Sequence, residues 1–505
     1  MSPSVEPFNE AKYKALMDGL ECKEINYSFT KECNGVFRID SEYYKKSALK
    51  IINHIKANSH CILGEHFDVS KLAGFEYTKY FTEENTTTAD YYLAITSKNV
   101  QSEHLLLDDT LRIDKSVADE FLKRSKLKVG DIIMSYTGEY RRALTLEHEN
   151  LQLGPNVCRL TPKDAVLNSY YVSAFLNSRC GQAILDKEKT LSAQPTVAMS
   201  RIRTIPIPLF SSSFQTKIAQ IIKKDNKTIS SSDNKYKLAT SILYDSLKFD
   251  TEYVAHNNCA VKSFKEILDN EVRLDAEFYH PKYEYLFSML QNNSLFTKKI
   301  GEIQTYNARG VQPAYSIDGE LNVVNSKHIL DTSLDYDNLE KTHYSIWNSK
   351  AKAQIHLNDI LTYTTGANIG RTSPYLSKER AIASNHVNIL RLNQGYNCLY
   401  VALVMNSQIG RMQVERLSAG SAQQELYPKD IDKIVIPFVE ESLQKEIEKY
   451  IIEAYEEKTK GFSLLRLTID AVGLAVEQSE DFALNWLKEK EVESQCQVIE
   501  IGFNK

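Results

Sequence analysis

The phrases FLNSRCGQ (175–182) and IPIPLF (205–210) return as VMNSQIGR (404–411) and IVIPF (434–438), 229 positions further along the chain. Single tyrosine, glutamine and isoleucine residues around these phrases recur at the same shift. Matching residues that keep one order over such a length are typical of an internal repeat. The chain is therefore predicted to contain two copies of one unit.

Each copy has the same predicted internal plan. The runs GDIIMSYTG (130–138) and NDILTYTTG (358–366) are largely apolar up to a Thr-Gly pair, which predicts a strand that enters a turn. Residues 170–185 and 399–414 carry apolar side chains at helical spacing, and each is predicted to form one helix with a central glycine. The Ile-Pro phrases are predicted edge strands, because proline cannot donate a hydrogen bond to a sheet.

Two long helices are predicted, one after each copy. Apolar or aromatic residues recur at seven-residue intervals, with Lys458 as an interruption: Ile222, Ile229, Tyr236 and Leu243 in the first helix, and Ile451, Leu465 and Val472 in the second. This period is typical of a coiled-coil seam, so we predict that the helices pair. The alternative is that each is a single amphipathic helix packed on its own copy. Helices of about 35 residues would extend about 50 Å and separate two equivalent domains as a dumbbell with approximate two-fold symmetry.

The composition is that of an ordinary globular chain with no strong electrostatic bias. The 505 residues include 61 Lys and Arg against 66 Asp and Glu, for a formal net charge of −5. A DNA-binding function would therefore need basic residues gathered on one face. No run of about 18 apolar residues is present, so no membrane association is predicted. The N-terminus lacks the apolar core of a signal peptide, and we expect a cytoplasmic location.

The sequence lacks the common motifs for chemistry. A phosphate-binding loop needs a Gly-Lys pair, which never occurs, and neither a G-x-G-x-x-G nor a G-x-S-x-G motif is present. The eight cysteines are scattered without a C-x-x-C pair, as in a reduced cytoplasmic protein, so no metal site is predicted. We therefore predict a binding protein with no catalytic residues and no cofactor of its own.

Polar residues at turns are the candidate ligand contacts, because packing explains the apolar matches without a ligand. Arg142 and Arg371 follow the Thr-Gly turns, with Arg141 beside the first. Such a turn can bring backbone N–H groups and a guanidinium to a phosphate. Lys98 and Lys327 follow an apolar strand and are also candidates for phosphate contact. The structural alternatives are surface arginines in salt bridges and solvated lysines.

Two further matched pairs are candidates for base contact or for turn formation. Gln194 and Gln423 lie in flexible polar phrases, and glutamine can bind adenine through two hydrogen bonds. The alternative that we favour for them is a structural hydrogen bond to a loop. Asn156 and Asn385 precede apolar strands and are predicted turn formers.

Residues that recognise different base sequences should differ between the copies. Matching the copies therefore finds the shared scaffold and phosphate contacts, and base recognition is expected in divergent stretches. The clearest of these are Thr78–Tyr92 and Tyr306–Tyr315.

The duplicated order of these phrases resembles the specificity (S) subunit of type I restriction–modification systems. The resemblance extends roughly from Arg38 to Glu477 and includes the strand-and-turn, Asn-Ser and Ile-Pro phrases of both copies. The phrase RLDAEFYHPKY (273–283), with its counterpart RIDSEYYKK (38–46), adds to it. No single phrase is specific to that family, but their repeated order is.

The resemblance implies an α+β fold with two tandem mixed α/β target-recognition domains and two long helices that form an antiparallel coiled coil. The implied regions are an N-terminal segment with the first recognition domain (1–211), a first spacer helix (212–250), a linking segment with the second recognition domain (251–439), a second spacer helix (440–477) and a C-terminal tail (478–505).

The resemblance also implies the partners. Each recognition domain would bind half of a bipartite site in double-stranded DNA, and the helices would dock methyltransferase subunits and restriction motor-nuclease subunits. S-adenosylmethionine, ATP and Mg would then act in those partner subunits and not in this chain.

Two other functions stay open at the level of the sequence. One is a stand-alone DNA nuclease or methyltransferase of unusual motif, which would cleave or methylate without a partner. The other is a tandem-repeat scaffold that binds protein but not DNA, and its partner binding would be insensitive to salt.

Overall fold

The structure is a computed structural model, and it describes residues 8–496 with the exception of 22–23, 33–37, 87–88, 102–103, 108–109, 139–141, 191–193, 254–258, 270–271, 292–295, 331, 337, 367 and 419–423. The chain divides into two compact units. Unit 1 extends to Lys227 and also includes Gly461–Gln495, and unit 2 includes Thr228–Lys460.

Unit 1 contains two main sheets. Its strands are β1 His60–Ile62, β2 Phe67–Lys71, β3 Tyr91–Ile95, β4 Leu111–Asp114, β5 Ile132–Ser135, β6 Ala143–Thr145, β7 Leu151–Leu153, β8 Val157–Pro162 and β9 Pro206–Pro208. One sheet has the order β2-β8-β5-β6 and is antiparallel throughout, and the other has the order β4-β3-β7 with a parallel β3–β7 pair. β9 pairs with β1 alone, as the Ile-Pro phrase predicts.

The helices of unit 1 surround these sheets. They are α1 Glu10–Met17, α2 Tyr27–Glu32, α3 Lys46–Ala57, α4 Leu63–His66, α5 Gly74–Tyr80, α6 Lys115–Phe121, α7 Ser169–Asn177, α8 Arg179–Glu188 and α9 Met199–Arg203. The first long helix, α10, follows at Ser212–Leu247.

Unit 2 repeats this architecture. Its strands are β10 Phe296–Lys299, β11 Gln304–Arg309, β12 Leu321–Val324, β13 Glu340–Thr342, β14 Gln354–Ile355, β15 Ile360–Tyr363, β16 Thr372–Pro374, β17 Ala381–Ala383, β18 Val387–Leu392 and β19 Val435–Phe438. The orders β11-β18-β15-β16 and β13-β12-β17-β14 match those of unit 1, with β14 as an additional strand and again with one parallel pair, β12–β17. The duplication predicted from the sequence is therefore confirmed in the fold.

The remaining helices are those of unit 2, the second long helix, and a final helix that belongs almost entirely to unit 1. They are α11 Phe264–Asp269, α12 Pro281–Leu290, α13 Ile300–Ile303, α14 Ser345–Ser349, α15 Cys398–Asn406, α16 Gln408–Ser418, α17 Pro428–Ile431, α18 Glu441–Glu477 and α19 Glu480–Cys496. Within the described ranges, no helix is both long enough and apolar enough to span a bilayer.

Equivalent side chains make equivalent bonds in the two units. The hydroxyl of Tyr171 donates to Pro208 O at 2.7 Å, and that of Tyr400 donates to Pro437 O at the same distance. Both tyrosines are fully buried, and a buried hydroxyl normally needs a hydrogen-bond partner. In each unit the carbonyl of the proline in the Ile-Pro strand is that partner. The shared tyrosines are thus part of the scaffold.

The prediction of a single helix over residues 170–185 and 399–414 is wrong, because each stretch contains two helices. In unit 1 the break is at Ser178, whose Oγ accepts a hydrogen bond from Gly181 N at 3.3 Å as the N-cap of α8. A Cβ at Gly181 would lie 2.1 Å from Phe175 O, so the central glycine allows α8 to fold back closely on α7. Gly410 has the same role in unit 2, where its Cβ would lie 2.3 Å from Met405 O.

The two long helices contribute to both units. Unit 1 contains residues 212–227 of α10 and 461–477 of α18, and unit 2 contains the remaining halves. Each unit thus holds the beginning of one helix and the end of the other, which is the arrangement of an antiparallel pair. The seam positions Ile222, Ile229 and Leu243 are buried, as the seven-residue period predicts for a coiled coil.

Candidate nucleic-acid interface

Three strands of unit 1 end at the same side of the sheets. Because β3 and β7 are parallel neighbours, the residues after Ile95 and Leu153 lie side by side, and Gly154 N donates to Ile95 O at 2.8 Å. β5 is antiparallel to β8, so Ser135 lies beside Val157. The unit 1 edge is defined here as residues 96–98, 136–138, 142, 154–156 and 194–197.

The loop before α9 closes on the unit 1 edge. Gly138 N donates to Pro195 O at 3.0 Å, and Thr137 forms an isolated β-bridge with Thr196. Gly138 has a φ of 90°, a left-handed conformation that favours glycine. The Thr-Gly turn and the glutamine phrase, which are far apart in the sequence, are therefore neighbours in space.

Unit 2 has an equivalent edge. Leu426 N donates to Thr364 O at 2.9 Å, which joins the second Thr-Gly turn to the second glutamine phrase. Ser384 N donates to Val324 O at 2.9 Å, so the ends of β12 and β17 lie together as well. The unit 2 edge is defined here as residues 309–311, 325–328, 364–366, 368–371, 384–386 and 424–427.

Four of the candidate contacts lie on segments that the structure brings together. In unit 1, Arg142 is half-buried and Gln194 is exposed, on the two segments that the Gly138–Pro195 bond joins. In unit 2, Arg371 is half-buried beyond the Thr-Gly turn, and its carbonyl accepts from Tyr363 N at 2.8 Å. Lys98 also lies at the unit 1 edge.

Two other candidates, Arg141 and Gln423, lie outside the described residues. Gln423 is the unit 2 counterpart of Gln194, and in its loop the structure describes the residues that follow it, from 424 onwards.

The two matched lysines have different surroundings. Lys98 is exposed on the turn after β3. Lys327 is also largely exposed, but its Nζ lies 2.7 Å from Glu340 Oε1, in a surface ion pair. Lys327 is therefore ion-paired, whereas the structural alternative for both lysines was a solvated side chain.

The two matched asparagines also differ. Asn156 has a φ of 66°, in the left-handed region, and its carbonyl accepts from Tyr136 N at 3.3 Å. Its predicted role as a turn former is therefore confirmed. Asn385 Nδ2 instead lies 3.3 Å from His386 Nε2 at the exposed surface of the unit 2 edge.

Arg309 is a cation of the unit 2 edge that matching the copies did not find. Its Nη2 donates to Leu426 O at 2.9 Å, its Nη1 lies 3.5 Å from a Glu425 oxygen, and its guanidinium stacks 4.6 Å from the Tyr427 ring centre. A hydrogen bond from the Tyr427 hydroxyl, with the charge of Arg309, lowers the pKa of Glu425 and keeps that carboxyl ionised.

A sequence pattern could have identified this residue. Arg309 is the last residue of β11 and lies within the divergent stretch 306–315, and in unit 1 Lys71 similarly ends β2, with its Nζ 5.3 Å from the Tyr136 ring centre. A cation that ends the first long strand of each copy is the signal. The other divergent stretch, 78–92, ends in the first residues of β3, at the opposite end of that strand from the unit 1 edge.

His328 is a buried titratable group at the unit 2 edge. Its Nδ1 accepts from Asn325 N at 2.9 Å, and the residue is only 2% exposed. Burial, with the nearby charge of Lys327, lowers the pKa of His328 to about 4. The imidazole is therefore neutral at physiological pH and acts as a hydrogen-bond acceptor for the turn after β12.

Several buried polar atoms near the unit 2 edge have no hydrogen-bond partner within the described protein: Thr364 Oγ1, Thr365 Oγ1, Ser384 Oγ, Asn385 Oδ1, Asn388 Oδ1 and Arg309 Nε. Buried polar groups are normally paired with protein, water or a ligand. The unit 2 edge therefore has unpaired polar atoms beside its cations, which suits a polar ligand.

The described residues do not gather a metal site. Within them, no group of three or more His, Cys, Asp or Glu side chains is placed to hold a metal ion. The sequence groups His54, His60, Cys61 and His66 within 13 residues, but two of these histidines have other partners: His66 pairs with Asp164 at 2.8 Å, and His60 Nδ1 lies 3.0 Å from Asn58 O.

Comparison with protein families gives a match over the second copy. Residues 296–460 match the family model described as Type I restriction modification DNA specificity domain. This match confirms, over that segment, the resemblance inferred from the repeated phrases. A comparison with curated proteins gave no match.

Comparison with solved structures gives matches that cover most of the chain, with low sequence identity and low TM-scores. The S subunit of the type I restriction-modification system from M. genitalium is 13% identical, with a TM-score of 0.34 over 85% of this chain and 95% of that chain. The HsdS subunit from Thermoanaerobacter tengcongensis is 12% identical, with a TM-score of 0.26 over 86% and 97%. A chain from a study of complex assembly and conformational transition of the type I R-M system is 11% identical, with a TM-score of 0.27 over 85% and 97%.

Proposed function

We propose that this chain is the sequence-specific DNA-recognition subunit of a type I restriction–modification complex, and that it has no catalysis of its own. The observation that carries the proposal is the repetition of one unit, each copy with a polar, cation-bearing edge at the same strand ends. The family match over residues 296–460 supports the same conclusion.

Each edge would bind one half of a bipartite DNA site. Arg142 in unit 1 and Arg371 in unit 2 would contact phosphates, because a guanidinium forms charge-assisted hydrogen bonds with phosphate oxygens. Gln194 and the divergent residues around Arg309 would contact base edges, and the hydrogen bonds that join their loops to the Thr-Gly turns support this assignment. The net charge of −5 gives no general attraction to DNA, so affinity would depend on these local cations.

The chemistry would belong to partner subunits. Methyltransferase subunits that use S-adenosylmethionine, and restriction motor-nuclease subunits that use ATP and Mg, would dock on this chain and act on the DNA that it selects. The long helices α10 and α18 would provide docking surface and set the distance between half-sites, as the resemblance implies.

Selection of random DNA duplexes by the protein in complex with its methyltransferase partner tests this proposal. We expect one two-part motif with an unspecified spacer, and an affinity that falls steeply with salt as phosphate neutralisation releases counterions. Enrichment of no bipartite motif would contradict the proposal.

Two parallel assays separate the alternatives. Methyl transfer to DNA, or metal-dependent cleavage, by the purified chain alone would establish an enzyme. Salt-insensitive capture of a protein partner without DNA retention would establish a scaffold.

A further inference from the structure

A buried lysine interrupts the seam of the long helices. Lys458 occupies a seven-residue seam position of α18 and is only 7% exposed. Its Nζ lies 3.0 Å from Asp233 Oδ1 on α10 and 2.7 Å from Thr332 Oγ1, which lies between β12 and β13. One ammonium group thus joins three parts of unit 2: both long helices and the sheet-bearing domain.

The first copy shows that the seam position does not require a charge. Position 229, which corresponds to 458 in the repeat, is Ile229, and it is 4% exposed. An isoleucine fills a seam without the desolvation cost that a buried ammonium carries. Stability therefore does not explain the lysine, and a polar residue at one seam position is a recognised means of selecting a single register.

The geometry of the contact explains how Lys458 would select a register. Apolar seams tolerate a shift by one heptad, because one apolar contact replaces another. In the observed register, Lys458 has the Asp233 carboxylate opposite it on α10 and the Thr332 hydroxyl alongside. A shifted pair would leave the ammonium in an apolar seam without its carboxylate, at a high free-energy cost.

Other polar contacts across the helices agree with this register. Ser232 Oγ donates to Ala454 O at 2.7 Å, and Lys235 Nζ lies 2.8 Å from Glu453 and 2.9 Å from Glu457. These groups are more exposed than Lys458 or are bonded to backbone, so they support the register but do not impose it as strongly.

We propose that Lys458 is a positioning residue for DNA spacing: it fixes the register of α18 against α10 in unit 2 and fixes the domain on that helix pair through Thr332. This proposal rests on the proposed function: by fixing the register, Lys458 would make the protein selective for one spacer length between the half-sites. The residue touches no DNA.

A distance measurement tests the register without any assay of function. Spin labels are introduced through unnatural amino acids at the exposed positions Lys237 of α10 and Lys449 of α18. Pulsed electron paramagnetic resonance then measures the distance between the labels, which depends on the register. We expect one narrow distance distribution in the full-length wild-type chain, and a broadened or doubled one in Lys458→Met and in Lys458→Ile. Lys445→Met, which changes an exposed lysine of the same helix, is the matched control. An unchanged distribution in Lys458→Met would overturn the proposal.

Both replacements should fold, because the carboxylate that they leave behind is not buried. The side chain of Asp233 is 43% exposed and can be hydrated when Lys458 is removed. We expect thermal unfolding at or above the wild-type temperature. A large loss of stability would indicate a purely structural residue and contradict the assigned role.

A spacer assay then tests the consequence for DNA. The methyltransferase complex is assayed on duplexes in which the selected spacer is kept, shortened or lengthened by one base pair. We expect Lys458→Met to lower the preference for the selected spacer by about tenfold, with activity on that spacer largely kept. Unchanged preference would overturn the role in spacing. If the wild-type complex selects no bipartite site at all, the proposed function fails, and the distance measurement still decides the register.

Discussion

Most polar residues that the two copies share support the fold and are not free to bind a ligand. The amide of Asn177 pairs with both backbone groups of Ala143, at 2.9 and 2.7 Å, and Asn406 pairs in the same way with Thr372. A matched polar residue is thus as strong an indication of scaffold as of binding. The arginines after the Thr-Gly turns remain candidates for ligand contact, because their turns lie at the two edges.

Arg142 is expected to contribute to DNA affinity without contributing to sequence preference. For Arg142→Ala, we predict weaker binding by a similar factor on selected and unrelated duplexes, since a phosphate contact is independent of sequence. The slope of log affinity against log salt should fall in magnitude by about 1. Fluorescence anisotropy across a salt series measures both quantities.

The control for this prediction is Lys445→Ala, which removes an exposed cation of α18 away from the edges. It should leave the salt slope unchanged. An Arg142→Ala protein with the wild-type slope would show that this arginine makes no phosphate contact.

His328 predicts a specific acid sensitivity. Its pKa is about 4 in the fold and about 6.5 when unfolded, so the unfolded chain binds more protons between these values. The stability linked to His328 is complete above pH 6.5 and is lost progressively as the pH falls towards 4. The loss should be about 2–3 kcal/mol, and His328→Gln should remove it. Urea unfolding at pH 7 and pH 4.5 measures the difference, and equal losses in both proteins would contradict this origin.

At the scale of elements, the break between paired helices depends on one glycine per unit. For Gly410→Ala, whose Cβ would lie 2.3 Å from Met405 O, we predict a loss of stability of about 2 kcal/mol or more. Gly74→Ala is the matched control, since a Cβ there meets no atom within 4 Å. Unfolding by urea measures both, and a Gly410→Ala protein as stable as the control would show that α15 and α16 are not closely packed.

The helix break also shows what the sequence could not predict. The apolar spacing of residues 399–414 continues through the break, so the sequence gives no sign that the helix ends there. The need for Gly410 and for a serine at the break arises only from the close contact between the two helices. The long helices were predictable because a coiled-coil seam is a local pattern: α10 begins at Ser212, where the first spacer helix was expected to begin. Local periodicity is visible in one stretch of chain, whereas close packing between elements is not.

The edges show the same limit for the candidate site. The Thr-Gly turn and the glutamine phrase were each identified from the sequence, but their contact depends on strand order, which no short phrase encodes. Arg309 was missed because it has no exact match in the other copy, although its stretch was expected to diverge. His328 was missed because its burial depends on the turn after β12.

At the scale of the whole molecule, duplication gives the chain two equivalent edges, one in each unit. Each unit carries the same strand order and an equivalent edge, so the chain holds two binding surfaces of one design. Each long helix contributes about half of its length to each unit. A protein of this plan is suited to a target made of two parts.

The most direct test of this plan is a genome-wide map of methylated bases in cells with and without the intact gene. The account predicts that deletion removes methylation at one motif made of two specific parts separated by an unspecified spacer, and at no other motif. Loss of a continuous, undivided motif, or an unchanged methylation map in cells that express the methyltransferase partner, would contradict it.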